Sequence, residues 1–328
     1  MYLSNMNVPE FTKENVNTEA IFKTSTKVPC RDPFIMLIGY TYYIYKSSMS
    51  EAWGTENQSN KNINVYCYKS KDLENWYDPV VVLKGEDVTH GVKDMFWAPE
   101  CHYYKGNFYI FTSVYSNITN HRCISVYRAD NPMGPFVDIA DGCICPKDWD
   151  TIDGTLYVDP DGQPWMVFVH EWTSMPDHNG GMCAAKLSED FTHFISEPIE
   201  LFRAKDRGEG YGGVTDGPYM YTDENGHLMM IWSNGLKDVG YLVAVAHSES
   251  DTILGPWTHQ DELLYCKGCL PNCPDGGHAM IFNDKNGVTK ITMHGPNGRR
   301  KDEDGNVIDY EHLLIFNLIE KDGTIKIK

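Results

Sequence analysis

Three aspartates open strand-like runs in the same manner: Asp32 in CRDPFIMLI, Asp153 in TIDGTLYV and Asp216 in VTDGPYMY. Asp275, in PDGGHAMIF, is a fourth of the same type. An aspartate at a polar step reads on its own as a turn residue. Several carboxylates gathered at one place are different, because each shifts the others' ionisation and together they can give and take protons. The chemistry therefore depends on whether the chain brings them together.

The elements around them repeat. Helical periodicity is nearly absent, and short strand-like runs alternate with Gly, Asn, Asp and Pro throughout, which predicts an all-β protein. Tight turns lead into apolar strands in KGNFYIFTS, DGQPWMVFVH, NGHLMMIWS and NGVTKITMH, with a looser first copy at Gly39-Tyr40. The PDGQ, DENG and NDKNG turns are read as hairpin turns, since none has the full spacing of a calcium loop. Upstream lie the steps Asp32-Pro33, Ala98-Pro99, Asp153-Gly154, Asp216-Gly217 and Asp275-Gly276, separated by 66, 55, 63 and 59 residues. Downstream come SKDLENW, ADNPMGPF, LSEDFTHF and SESDTILGPW. Five such units predict a five-bladed β-propeller, a single domain over 1–328 with 1–27 as a lead-in segment. In that fold equivalent positions ring one mouth of a central channel. Asp32, Asp153, Asp216 and Asp275 are thus expected to converge there.

Bulk properties narrow the partners. A formal charge of −18 over 328 residues disfavours nucleic acid and anionic membrane surfaces, leaving a neutral substrate as the better fit. No apolar stretch is long enough to span a bilayer as a helix. Residues 1–20 lack the charged-then-apolar pattern of a secretory leader, and the ten cysteines are scattered. Both features suggest reduced thiols in a cytoplasmic protein, with a secreted form whose leader was removed still open. CKGCLPNC places Cys266, Cys269 and Cys273 at metal-like spacing, with Cys143 and Cys145 as possible partners, against the alternative of free loop thiols. Sequons at Asn57 and Asn117 carry no weight without evidence of secretion.

The chain resembles glycoside hydrolase family 43 from about residue 28 to its last blade. The resemblance is carried by RDPF at 31–34, FWAPECHYYKGNFYIFTS at 96–113, IDGTLYVDPDGQPWMVF at 152–168, VTDGPYMY at 214–221 and GGHAMIF at 276–282. It implies a five-bladed propeller that cleaves arabinofuranosyl or xylosyl linkages with inversion. Asp32 would then be the general base that activates water, and Asp153 the carboxylate that raises the acid's pKa. His278 falls where the family has a histidine beside a channel metal ion, calcium or sodium, or a water. No organic cofactor is implied. Phe34, Trp97 and Trp172 flank the acidic positions as candidate sugar-stacking residues, with core packing between blades as the alternative. Glu100 and His102 are expected to alternate in direction, so that at most one faces the pocket. His294, at the end of a fifth-blade strand, could line the channel but as a lone histidine is read as structural.

The chain departs from the family at the acid. The family has Glu before Gly-Pro in the fourth blade, and here the residue is Asp216. Its carboxyl is set back by about 1.5 Å, one C–C bond, and ångström-scale misplacement can cost about 100-fold in rate. Asp216 could act from a tighter pocket, Glu171 could be the acid instead, or the site could bind sugar without cleaving it. A family 32-like fructosidase is a further alternative, carried by Arg31–Pro33 and the Glu100-Cys101 pair. It lacks an Asn-Asp-Pro nucleophile motif upstream of Arg31. The choice of pentose and linkage is expected to lie in loops 47–64, 171–181 and 203–213.

Overall fold

A computed structural model describes residues 21–24, 28–47, 64–90, 96–140 and 142–328. Its strands form five antiparallel sheets of blade type. The first holds β1 (Ile21–Thr24), β2 (Phe34–Ile38), β3 (Thr41–Tyr45), β4 (Asn64–Ser70), β5 (Asn75–Tyr77) and β6 (Val80–Lys84). The second runs from β7 (Trp97–Tyr104) through β8 (Asn107–Tyr115) and β9 (Arg122–Ala129) to β10 (Val137–Asp138). The third comprises β11 (Thr151–Val158), β12 (Pro164–His170), β13 (Gly181–Lys186) and β14 (Ile199–Arg203). The fourth comprises β15 (Asp216–Thr222), β16 (Leu228–Leu236), β17 (Gly240–Ser248) and β18 (Trp257–His259). In the fifth, β19 (Gly277–Asn283) pairs β20 (Thr289–Gly295). A hairpin of β21 (Arg300–Lys301) and β22 (Val307–Asp309) is inserted before β23 (His312–Lys321) and β24 (Thr324–Ile327).

The innermost strands β2, β7, β11, β15 and β19 contact one another in a closed ring, as the repeat predicts. Blades pack face to face, so their middle strands are buried on both sides. This is why PWMVFVH and LMMIWSN read as continuous apolar runs, buried at every position. Closure comes from the segment before β2. Pro29 bridges His312, the Cys30 amide donates to the Glu311 carbonyl (3.1 Å), and the Leu313 amide donates to the Val28 carbonyl (2.9 Å). Within the expected lead-in, Ile21–Thr24 adds a strand to the first blade by pairing β5.

The hairpin turns behave as read. Asp159, Asp223 and Asp284 each accept two backbone amides two and four residues ahead, closing the turn before the second strand.

The repeat itself needs one correction. The residue at each step that takes a left-handed backbone is Asp32 (φ +50), Ala98 (+42), Asp153 (+56), Gly217 (+48) and His278 (+53). In the last four blades it lies inside a register shift of the inner strand. Asp216 is therefore one residue before the equivalent position, level with Arg31 and Trp97, and Asp275 is three before it. The convergence expected of Asp275 fails for that reason. Its carboxylate instead accepts the Tyr241 amide (3.3 Å) and the Arg300 guanidinium (2.5 Å).

A side chain latches each left-handed residue to a neighbouring blade. The Ala98 amide donates to Ser47 Oγ (2.8 Å), Asp153 to Ser113 (3.0 Å), His278 to Ser233 (2.8 Å) and Asp32 to His294 Nδ1 (3.2 Å). Four of the five acceptors thus stand at the end of the second strand of the preceding blade. In the third blade that place holds Val169, opposite Ile152, which has no acceptor. The Gly217 amide donates to Asp153 Oδ2 instead (3.0 Å).

Candidate active site

The left-handed turn lifts Asp32 and Asp153 out of strand register at one end of the ring, where His278 lies between them. His278 Nδ1 stands 3.2 Å from Asp32 Oδ1 and 3.9 Å from Asp153 Oδ2. Gly217 makes this approach possible. A Cβ there would lie 2.8 Å from the His278 ring, and its φ of +48° suits glycine. Asp216 follows on the same rim, half-buried, with Oδ2 accepting the Tyr241 hydroxyl (3.0 Å).

These carboxylates ionise very differently. Burial pushes Asp32 up, but His278, Arg31 and the Ser47 hydroxyl (2.5 Å) overcome it and hold it down to about 2. Asp216 is raised to about 7, by burial first and by the Asp153 charge second. Burial also raises Asp153, to about 6, against the pull of His278 and the Gly217 amide. His278 is raised despite its burial, because Asp32, Asp153 and Asp216 all favour the imidazolium. Burial holds His294 down to about 3. His294 is thus neutral, with Nδ1 accepting the Asp32 amide and the proton on Nε2, facing Asn297 Oδ1 at 3.5 Å. One end of the ring therefore holds a firmly ionised carboxylate, a carboxyl protonated near neutrality, and a third carboxyl coupling them.

Other expected residues fall at varying distances from this centre. Glu171 follows β12, half-buried; burial raises it, Arg122 pulls it down and Asp216 raises it further, so it shares the rim with Asp216. Trp172 follows it and is 40% exposed, free to meet a ligand. Trp97 is half-buried, with one ring face already covered by the Arg122 guanidinium 3.2 Å away. Phe34 is a core residue, 1% exposed and packed edge-on to His102 at 4.9 Å, so it has no face for a sugar. Glu100 and His102, two residues apart in β7, face the same way and pair at 2.9 Å, correcting the expectation that they alternate. His278 turns its Nδ1 to the two carboxylates. Among the described residues no group of three or more His, Cys, Asp or Glu is placed to cage a metal.

The same holds for CKGCLPNC. Cys269 and Cys273 lie 3.7 Å apart as thiols, their sulfurs met by the Cys266 and Leu270 amides. Cys123 and Cys143 are joined as a disulfide, with Cα atoms 5.8 Å apart, where the scattered cysteines read as reduced thiols more than as a disulfide framework. Of the proposed pocket loops, 48–63 with its Asn57 sequon lies outside the described residues. Sequence reasoning missed Tyr241, Ser47 and Arg122. Nothing in KDVGYLVAV, YIYKSS or NHRCISVYR marks those side chains as facing a site.

A five-bladed propeller with a carboxylate trio at one end of its axis is the architecture of a glycoside hydrolase. The chain belongs to glycosyl hydrolases family 43, whose model matches residues 26–323. This membership displaces the family 32 alternative. The structure is similar to an endo-arabinase from Bacteroides thetaiotaomicron, at 32% identity and a TM-score of 0.77, covering 93% of this chain and 99% of that one. It is also similar to an endo-1,4-beta-xylanase of the same organism, at 25% identity and a TM-score of 0.74, covering 94% and 97%. In sequence it is 26% identical to an extracellular exo-alpha-(1->5)-L-arabinofuranosidase of Cellvibrio japonicus over 53% of this chain and 48% of that protein. It is 23% identical to an extracellular endo-alpha-(1->5)-L-arabinanase of Bacillus subtilis over 73% and 70%. The match thus spans about half the length of the Cellvibrio japonicus relative.

Proposed function

We propose that this protein hydrolyses arabinofuranosyl linkages of arabinan or its oligosaccharides by an inverting single displacement, with xylosyl linkages the second substrate class. The observation that carries the reading is the opposed ionisation of Asp32, held down to about 2, and Asp216, raised to about 7, at one end of the ring. Between those values Asp32 is ionised and Asp216 carries a proton, the pairing an inverting glycosidase needs. The names of the endo-arabinase and the arabinan-active relatives support arabinose over xylose.

In the proposed reaction Asp216 gives its proton to the glycosidic oxygen as that bond breaks. A water attacks the anomeric carbon from the opposite face and passes its proton to Asp32. Asp153, beside Asp216, keeps the acid protonated until the leaving oxygen takes the proton. Glu171 is also raised by burial, but its charged neighbours are Arg122, Asp216 and Asp150, and the Asp153 charge that helps raise Asp216 is not among them. The exposed Trp172 offers an aromatic face for a sugar ring.

The test is product analysis on linear arabino-oligosaccharides, branched arabinan and xylo-oligosaccharides, with NMR of the first-formed anomer. Release of arabinose or arabino-oligosaccharides with inverted configuration is expected. Initial retention would overturn the mechanism, and binding of these glycans without turnover would favour a glycan-binding propeller.

A further inference from the structure

Tyr241 belongs to none of the motifs that carry the family resemblance, yet it touches the proposed acid. It stands near the start of β17, opposite Gly235 on β16. We propose that Tyr241 is the positioning residue of the acid: its hydroxyl donates to Asp216 Oδ2, reserves that oxygen as an acceptor, and leaves Oδ1 to carry the proton delivered to the leaving oxygen. The inference rests on the reading of Asp216 as the acid.

The chemistry follows from the donor. Burial raises the Tyr241 hydroxyl well above its ordinary range, so it keeps its proton wherever the enzyme would work. A phenol has one hydrogen, and at 3.0 Å it is given to Oδ2. An acid proton placed on Oδ2 would oppose that hydrogen, so Oδ1 is the oxygen that carries it. Once the proton has left, the same bond stabilises the new carboxylate, which lowers the pKa of Asp216. Asp153 from β11, His278 from β19, Arg31 ahead of β2 and Glu171 after β12 also act on Asp216 through charge. Tyr241 acts through a directed bond.

The ring is held where this bond requires it. A Cβ on Gly277 would come 2.5 Å from Tyr241 Cε1, so the absence of a side chain there makes the space the phenol occupies. The neutral His294 ring stacks beside it, with centroids 5.6 Å apart and planes 25° from parallel. Its backbone is tied at both ends: the amide donates to Asp275 Oδ2 (3.3 Å), and its carbonyl accepts the Gly276 amide (3.1 Å). Asp275 is fixed in turn by Arg300. A side chain one methylene shorter than glutamate, with its carboxyl held by a clamped phenol, has little freedom to wander from its working position.

The experiment compares wild type, Tyr241→Phe and Asp216→Asn. Each is assayed for the pH dependence of kcat/KM on an oligosaccharide and on a 4-nitrophenyl glycoside of the same sugar. Tyr241→Phe retains the ring, and a Tm within a few degrees of wild type checks that its packing survives. The basic limb of its oligosaccharide profile is expected to move up by about one pH unit. Its oligosaccharide rate is expected to fall by about 10- to 100-fold, with the nitrophenyl rate nearly unchanged, because nitrophenolate leaves without a proton. A limb that stays at the wild-type pH, or equal losses on both substrates, would overturn the positioning role. Should Asp216→Asn still cleave the oligosaccharide at the wild-type rate, the acid assignment itself falls, whatever Tyr241→Phe does.

Discussion

Ser47 joins two blades at the carboxylate proposed as base. Its hydroxyl donates to Asp32 Oδ2 at 2.5 Å while accepting the Ala98 amide at 2.8 Å. One oxygen thus favours the ionised form of the carboxylate and completes the latch between the first and second blades. Ser47→Ala removes both. Loss of a bond to the charged form raises the Asp32 pKa from about 2, so the acid limb of kcat/KM is expected to move to higher pH. The orphaned Ala98 amide should cost about 1–3 kcal/mol, seen as a Tm lower by several degrees. An unmoved acid limb would show that Ser47 does not act on the ionisation of Asp32.

Asp153 raises Asp216 by its negative charge, an effect second only to burial. Replacing it by Asn removes that charge, so the protonated acid is less favoured and its pKa falls. The basic limb of the pH profile should shift to lower pH, in the direction opposite to that of Tyr241→Phe. A titration of kcat/KM between pH 4 and 9 checks the sign.

Asp32→Asn removes the proposed base while keeping its shape and one acceptor oxygen. Turnover is expected to fall by about 10²–10⁴-fold, the range for general base catalysis, with glycan binding retained. Calorimetric binding of a substrate oligosaccharide alongside initial rates separates the two. Wild-type turnover by this variant would remove Asp32 from the mechanism.

Gly217 is needed twice, for its φ of +48° and for the space beside His278. Gly217→Ala should lose about 1–3 kcal/mol to backbone strain alone, and displacement of His278 should add a fall in kcat. Thermal melting and kinetics on one preparation test both effects.

Keeping Asp216 ready as an acid has a stability cost of definite sign. Its pKa is about 7 in the fold and about 3.9 in an unfolded chain. A raised carboxyl favours the fold while protonated, so its contribution is fully present below about pH 4 and is lost as pH rises towards 7. Asp216→Asn, neutral at every pH, should therefore melt higher than wild type at pH 8, and the gap should close near pH 4. Equal melting temperatures at pH 8 would show that the carboxyl ionises in the fold without penalty.

Much of this molecule is written in short local patterns. The blade count was legible because each unit repeats a turn, a paired strand and a polar step, and hairpin chemistry depends on neighbours in sequence. Asp32 and Asp153 were legible for a related reason, since each occupies the left-handed position of its own repeat. Asp216 was placed one residue out of frame, because Asp-Gly looks like a step although the left-handed residue is the glycine. Phe34 looked equally suited to a sugar and to the core, and only the packing of His102 against it decided the matter. The disulfide between Cys123 and Cys143, the turning of His278 towards two carboxylates and the bond from Tyr241 to Asp216 depend on contacts between separate strands or blades. Residue type and local spacing determined which groups could do chemistry. The closure of the ring decided which of them meet and how far each pKa moves, because burial and neighbouring charge exist only once the blades are assembled.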